Sequence, residues 1–331
     1  KSKCNTRGIF SFPRGQKMKN FHDEKFSSIE VVQREFKQAG YICSRQIATT
    51  VYLAYHLCKP ILVEGPAGVG KTELAKTAAL FLGVPLIRLQ CYEGLDESKA
   101  LYEWKYGKQL LYTQLLRDKL DQIIKGENGL DSSIQKLHEY DDIFFSMDFL
   151  EPRPLLKAIQ EKRGAVLLVD EVDKSDDEFE AFLLEVLSDF QVSIPEVGTI
   201  AAVSKPFVFL TSNNTRELSE ALKRRCLHLY IPFPDQKLER EIVRIKVPDI
   251  SEKLEAQLVA FIHEVRKLDI KKVPSISESI DWARVLMILH VDKLNYDLIH
   301  DTLNTFVKFE EDVKLVKEQI RGMAEKALNV T

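Results

Sequence analysis

The chain has 331 residues, 45% of them apolar and 29% charged, the balance of a soluble globular protein with room for one large or two ordinary domains. A formal net charge of −3 excludes a global basic field for nucleic acid or a membrane surface, and no apolar run approaches the roughly 18–20 residues of a membrane span. The five cysteines are scattered and lack any C-x-x-C, which excludes a disulfide frame or zinc ribbon and predicts reduced thiols in a cytoplasmic protein.

Residues 1–24 read as a flexible basic tail, with Lys1, Lys3, Arg7, Arg14, Lys17 and Lys19 ahead of any acid. A transit-like peptide or a docking arm is the alternative. His56 and Cys58 stand close in sequence but read as packed helix, not a metal site. After the apolar run Ile61-Leu62-Val63 comes Gly65-Pro66-Ala67-Gly68-Val69-Gly70-Lys71-Thr72, the pattern G-x-x-x-x-G-K-[ST]. Such a loop turns backbone N–H groups inward as an anion nest, and the helix that follows adds its positive end. Lys71 is placed to reach the β/γ-phosphates of a nucleotide and Thr72 to bind Mg²⁺.

Short apolar runs then alternate with helical stretches, which predicts an α/β fold with a parallel sheet. The expected strands are 61–64, 86–90, 165–169, 207–211 and 227–231. Ser175 and Glu178 form a capping-box pattern ahead of an amphipathic helix through Leu187. Residues 191–203 read as a hairpin turning at 195–198. Beyond Phe233-Pro234-Asp235 the pattern is helical, with helices expected at 236–246, 252–268, 280–290, 296–307 and 310–328 and N-caps at Ser251 and Ser279. The reading is a basic tail over 1–24, a nucleotide-binding α/β domain over 25–234, and a helical lid domain over 235–331.

Four further features carry chemistry. The run Val166-Leu167-Leu168-Val169-Asp170-Glu171 is a buried strand delivering two carboxylates, Asp170 to hold Mg²⁺ and Glu171 to polarise an attacking water. A second strand ends in Thr211-Ser212-Asn213-Asn214, where Asn213 would orient that water; an Asn-Asn turn is the plainer reading. Lys223-Arg224-Arg225 ends a helix, either complementing its dipole or presenting an arginine to a neighbouring subunit's γ-phosphate. Trp282-Ala283-Arg284 sits in the helical region, where Arg284 is a surface residue or swings toward the nucleotide.

In this order GPAGVGKT, VLLVDE, TSNN, RRC and WAR resemble the AAA+ ATPases. Residues 191–203 look like the pre-sensor-1 hairpin, and 92–106 look like a helix-2 insert, a combination similar to the MoxR-type branch and closest to its CoxD-like members. The resemblance implies a five-stranded parallel P-loop core followed by a helical lid. It implies nucleotide contacts from Gly65 to Glu73, Tyr41 and Ile42 near the adenine, and ATP and Mg²⁺ as ligands. It also implies sensor 1 at Asn213 (or Asn214), a trans arginine finger at Arg225 (or Arg224) and sensor 2 at Arg284. A homo-oligomeric ring, most simply a hexamer, would share each site between subunits, remodel or mature a protein client such as a metalloenzyme, and take a von Willebrand factor A-domain partner. The long gap between Lys71 and Asp170 departs from a minimal core and implies extra helices around 112–140. The rivals are a nucleic-acid motor or loader and a small-molecule phosphotransferase. The hairpin, with Glu196 and no Lys or Arg, speaks against the first. The second leaves Asn213 and Arg225 without a task.

Overall fold

The computed structural model describes residues 25–114, 146–195 and 197–329. The basic tail, Glu196 and most of the helices expected around 112–140 lie outside the described residues. In chain order the helices are α1 (Ile29–Gln38), α2 (Arg45–Leu57), α3 (Lys71–Leu82), α4 (Glu97–Ala100), α5 (Pro154–Gln160) and α6 (Asp177–Asp189). They continue with α7 (Glu220–Arg225), α8 (Gln236–Lys246), α9 (Glu252–Val265), α10 (Ile276–Ile288), α11 (Tyr296–Thr302) and α12 (Glu310–Leu328). The strands are β1 (Ile61–Glu64), β2 (Leu86–Gln90), β3 (Tyr102–Trp104), β4 (Leu150–Pro152), β5 (Val166–Asp170), β6 (Gln191–Ile194), β7 (Gly198–Ala201), β8 (Phe207–Ser212) and β9 (Leu227–Tyr230).

Five strands form one parallel sheet in the order β2-β5-β8-β1-β9. Both faces are covered, which is why the central strands read as unbroken apolar runs and not as alternating ones. Along β5, Leu167 and Val169 enter a core shared with α5 and α6, while Val166 and Leu168 enter a second core shared with α1, α2 and α3. The register sets Gln90 beside Asp170 and Glu64 beside Ser212. The C-terminal ends of β1, β5 and β8 therefore open on one crevice, where ligands of open α/β sheets bind.

Two antiparallel ribbons hang from this sheet. β6 and β7 form the hairpin, and β3, which lies in the stretch 92–106 expected as a helix-2 insert, pairs with β4 beyond it. The helices after Pro234 enclose a third core built on Trp282, whose ring lies 4.4 Å from that of Phe306 and whose Nε1 donates to Thr302 Oγ1 at 2.9 Å.

Several expected boundaries move. The N-cap of α6 is Asp176, which accepts from the Phe179 amide, whereas Ser175 Oγ donates back to the Val172 carbonyl. Ser279 caps nothing. The capping box belongs to Ser275 and Glu278, so α10 starts a turn earlier than its apolar pattern indicates. Helix α9 ends at Val265, and the stretch expected at 296–307 is α11 followed by a 3₁₀ turn over Leu303–Thr305.

Ser279 lies inside α10 and donates to Glu239 Oε1 at 2.6 Å. The same buried carboxylate meets His263 Nε2 at 2.8 Å and accepts from Arg266 at 2.5 and 2.7 Å. Burial alone would raise the Glu239 carboxyl, but these donors outweigh it and hold the group below its ordinary value. Replacing Glu239 by Ala strands the buried Arg266 charge, so stability should fall by about 3–5 kcal/mol. Chemical denaturation followed by circular dichroism measures this, and a loss below about 1 kcal/mol would show the network to be dispensable.

Candidate functional site

The loop between β1 and α3 is shaped by close packing. Gly65 has φ +148°, and a Cβ there would lie 2.2 Å from the Ile231 carbonyl oxygen. Gly68 has φ +73°, and a Cβ there would lie 2.1 Å from Ser275 Oγ, the N-cap of α10. Only glycine fits either position. The N-cap of α3 is Gly70, which makes no side-chain cap, so the first amides of the helix face the loop without a side-chain acceptor.

Lys71, only 7% exposed, spends all three ammonium protons inside this frame. Its Nζ donates to the Gly65 carbonyl, the Pro66 carbonyl and Asn213 Oδ1, each at 2.7 Å. Burial pulls its pKa down, and Asp173, Asp170 and Glu171 act against that pull. Asn213 is thus the residue brought to the cradle. Asn214, at φ +58°, turns back, and its amide donates to Ser212 Oγ.

The carboxylates sit alongside. Asp170 is buried at the end of β5, with Thr72 Oγ1 3.2 and 3.3 Å from its two oxygens. Thr211 Oγ1 donates to Asp170 Oδ1 at 2.5 Å, and Arg88 Nη2 donates to Oδ2 at 2.6 Å. Glu171 takes a left-handed φ of +57°, with its amide on Thr211 Oγ1 at 2.9 Å. Its carboxylate accepts from Gln90 Nε2 at 3.0 Å and pairs with Lys174 at 2.6 Å. Hard oxygen donors at Thr72 and Asp170, beside a cradle for phosphate, are the set that suits Mg²⁺.

Next to the cradle lies a cavity of about 550 Å³ whose wall includes Gly68, Val69 and Gly70. Tyr41, Ile42, Ile47, Ile276 and Ile280 give it an apolar lining, and Glu73 and Arg284 stand at its wall. Arg284 is exposed, with Asp281 3.4 Å away. Arg225 is not brought to the site of its own chain: its Nε donates to Ser188 Oγ at 2.9 Å, and Arg224 pairs with Glu220 within α7. Ala67 is exposed.

Sequence reasoning missed Arg88, Gln90, Thr211 and Asp173. The spacing of the first two puts them on one face of a strand, but only the pairing of β2 with β5 shows which carboxylates they face. Asp173 is buried, and its Oδ2 accepts from the Asn213 amide at 3.2 Å, the Thr215 amide at 2.9 Å and Thr215 Oγ1 at 2.6 Å. Burial raises its carboxyl, but these donors prevail and hold it below the ordinary value. Asp173→Ala should speed hydrogen exchange at the Asn213 and Thr215 amides at least tenfold, about 1.4 kcal/mol, within the usual cost of an unmade buried hydrogen bond. Unchanged exchange at both amides would mean the loop holds itself.

Residues 61–234 match the family described as "ATPase family associated with various cellular activities (AAA)". An uncharacterized protein of Staphylococcus epidermidis is 24% identical over 221 residues, covering 65% of this chain and 71% of the relative. One from Staphylococcus haemolyticus is 23% identical over the same shares. Among solved structures, the Thermotoga maritima RuvB Holliday junction branch migration motor aligns over 90% of this chain and 82% of its own at 17% identity, with a TM-score of 0.44. The family match spans more than half of the chain and encloses every strand from β1 to β9, so the chain belongs to the AAA family of ATPases.

Proposed function

We propose that this ATPase is an Mg²⁺-dependent ATP hydrolase of the MoxR type that works as a homo-oligomeric ring, most simply a hexamer, on a protein client. The observation that carries the hydrolytic reading is the convergence of Lys71, Asn213, Asp170 and Glu171 at the ends of three adjacent strands. The cradle takes the phosphates and the adjoining cavity takes the nucleoside, with Tyr41 and Ile42 against the base.

Thr72 and Asp170 would hold Mg²⁺, which would neutralise charge on the phosphate oxygens. Lys71 exchanges its carbonyl partners for phosphate oxygens and keeps the charged end of the ligand desolvated. Asn213, fixed through its amide by Asp173, orients a water in line with the γ-phosphorus. Glu171 takes a proton from that water as its oxygen bonds to phosphorus and the bond to the leaving diphosphate breaks. Gln90 and Lys174 both hold Glu171 Oε2, which leaves Oε1 to face the water. Arg225 stands away from its own cradle, which supports its donation to a neighbouring subunit, and Arg284 at the cavity wall links nucleotide state to the position of α10.

The motif order, the β6–β7 hairpin and the β3–β4 ribbon support the MoxR-type reading over other AAA branches. A chaperone-like role in maturing a client such as a metalloenzyme, a von Willebrand factor A-domain partner and a cytoplasmic location belong to the same proposal. No described helix is long and apolar enough to cross a membrane. A nucleic-acid motor would want cations on the hairpin, and residues 191–203 contain none.

Two experiments test the reading. Glu171→Gln should bind ATP yet turn it over at least about a hundredfold more slowly, measured as phosphate release; near-normal turnover removes Glu171 from the role. Arg225→Ala and Lys71→Ala should each be inactive alone, and mixing them should recover activity at the interfaces that pair an intact cradle with an intact arginine. No recovery across a titration of mixing ratios would argue against a shared site.

A further inference from the structure

The apolar cavity beside the cradle contains a charged pair that the hydrolytic scheme leaves unused. Glu73 and Lys246 both line it, and Lys246 Nζ lies 3.2 Å from Glu73 Oε1. Lys76 approaches the other oxygen at 3.4 Å. The pair joins α3, which begins at the cradle, to α8, which lies beyond Pro234. The other charged residues of the wall, Asp281 and Arg284, pair with each other.

The position of Glu73 follows from helix geometry. Thr72 points at Asp170, and the next residue is rotated by about 100°, which carries its side chain away from the carboxylates and to the cavity. Glu73 is therefore the first side chain after the cradle on the nucleoside side. Burial opposes charge on it, but Lys246 and Lys76 outweigh burial and hold the carboxyl below its ordinary value. An ionised carboxylate accepts at about four lone-pair sites, and two ammonium contacts leave sites open toward the cavity. Between the phosphates and the base of a nucleotide stands a sugar with two vicinal hydroxyl donors.

We infer that Glu73 reads the ribose of the bound nucleotide, accepting hydrogen bonds from the 2′- and 3′-hydroxyls while Lys246 holds the carboxylate in place. The inference rests on the nucleotide reading above and adds a specificity: ribonucleotides over deoxyribonucleotides. It also joins α8 to the sugar, so the same contact that selects the ligand engages the helices beyond Pro234.

The test is calorimetric titration of the full chain with ADP, 2′-deoxyADP and 3′-deoxyADP, which avoids turnover. The wild type should bind ADP about tenfold more tightly than either deoxy analogue, the range of one charge-assisted hydrogen bond. Glu73→Ala should bring the three within about twofold of one another, weakening ADP by about a hundredfold and each analogue, which keeps one of the two hydroxyls, by about tenfold. Lys246→Met should weaken binding modestly and keep a preference for ADP, since the carboxylate remains. Equal affinities in the wild type would overturn the inference. So would a Glu73→Ala protein that loses all three nucleotides by the same factor, or a Lys246→Met protein indistinguishable from it, because the pair would then only tie two helices together. Failure of the wild type to bind any of the three would instead overturn the nucleotide reading, and the inference with it.

Discussion

A single buried ammonium group organises the site. Lys71 Nζ has three protons and three acceptors, two on the loop that precedes it and one on the end of β8. Desolvating a cation is costly unless each proton finds a partner, so the loop, the helix that carries Lys71 and the Asn213 segment must take up one mutual arrangement. Phosphate oxygens can replace the two carbonyls and strengthen the set, because a charged acceptor bonds more strongly than a neutral one. The internal contacts of Lys71 are thus the ones a phosphate ligand would compete for.

Around this centre the carboxylates are held by neighbours of opposite character. Asp170 has two hydroxyls and the Arg88 guanidinium; Glu171 has Gln90 and Lys174; Asp173 has backbone amides and the Thr215 hydroxyl. Three carboxylates lie within four positions of sequence, yet each is answered by separate donors, and this keeps them apart in role as well as in space. The arrangement depends on register: Gln90 lies opposite Asp170 because β2 pairs with β5 without a slip.

The sheet was legible because burial on both faces leaves runs too apolar and too short for anything else, and because the loop at 65–72 fixes where one of them ends. The start of α10 was not. Its first turn, Ile276 to Ser279, serves the P-loop, the cavity and Glu239 more than the lid core, so the periodicity that marks a lid helix begins only at Ile280. Ser175 and Asp176 are both good caps one position apart, and only the Phe179 amide decides between them. Lys71, Asp170, Glu171 and Asn213 could be named from strand ends. Arg88 and Gln90 could not be assigned partners, since exposed polar residues on an edge strand look the same whether or not a carboxylate stands opposite. The roles proposed for Tyr41, Arg225 and Arg284 rest on resemblance, and no local pattern distinguishes these residues from surface or core ones.

The contact between Gly68 and Ser275 has a further consequence. The tip of the P-loop touches the hydroxyl that begins α10, and that hydroxyl is engaged by Glu278 of the same capping box. Arg266, bonded to the Pro274 carbonyl at 2.7 Å, ties the same corner to Glu239. Two segments far apart in the gene therefore share a space with no slack. Over generations neither can drift alone: a bulkier loop demands a smaller cap, and a changed cap alters the loop. In descendants of this chain, substitutions at the two places should be inherited as a pair.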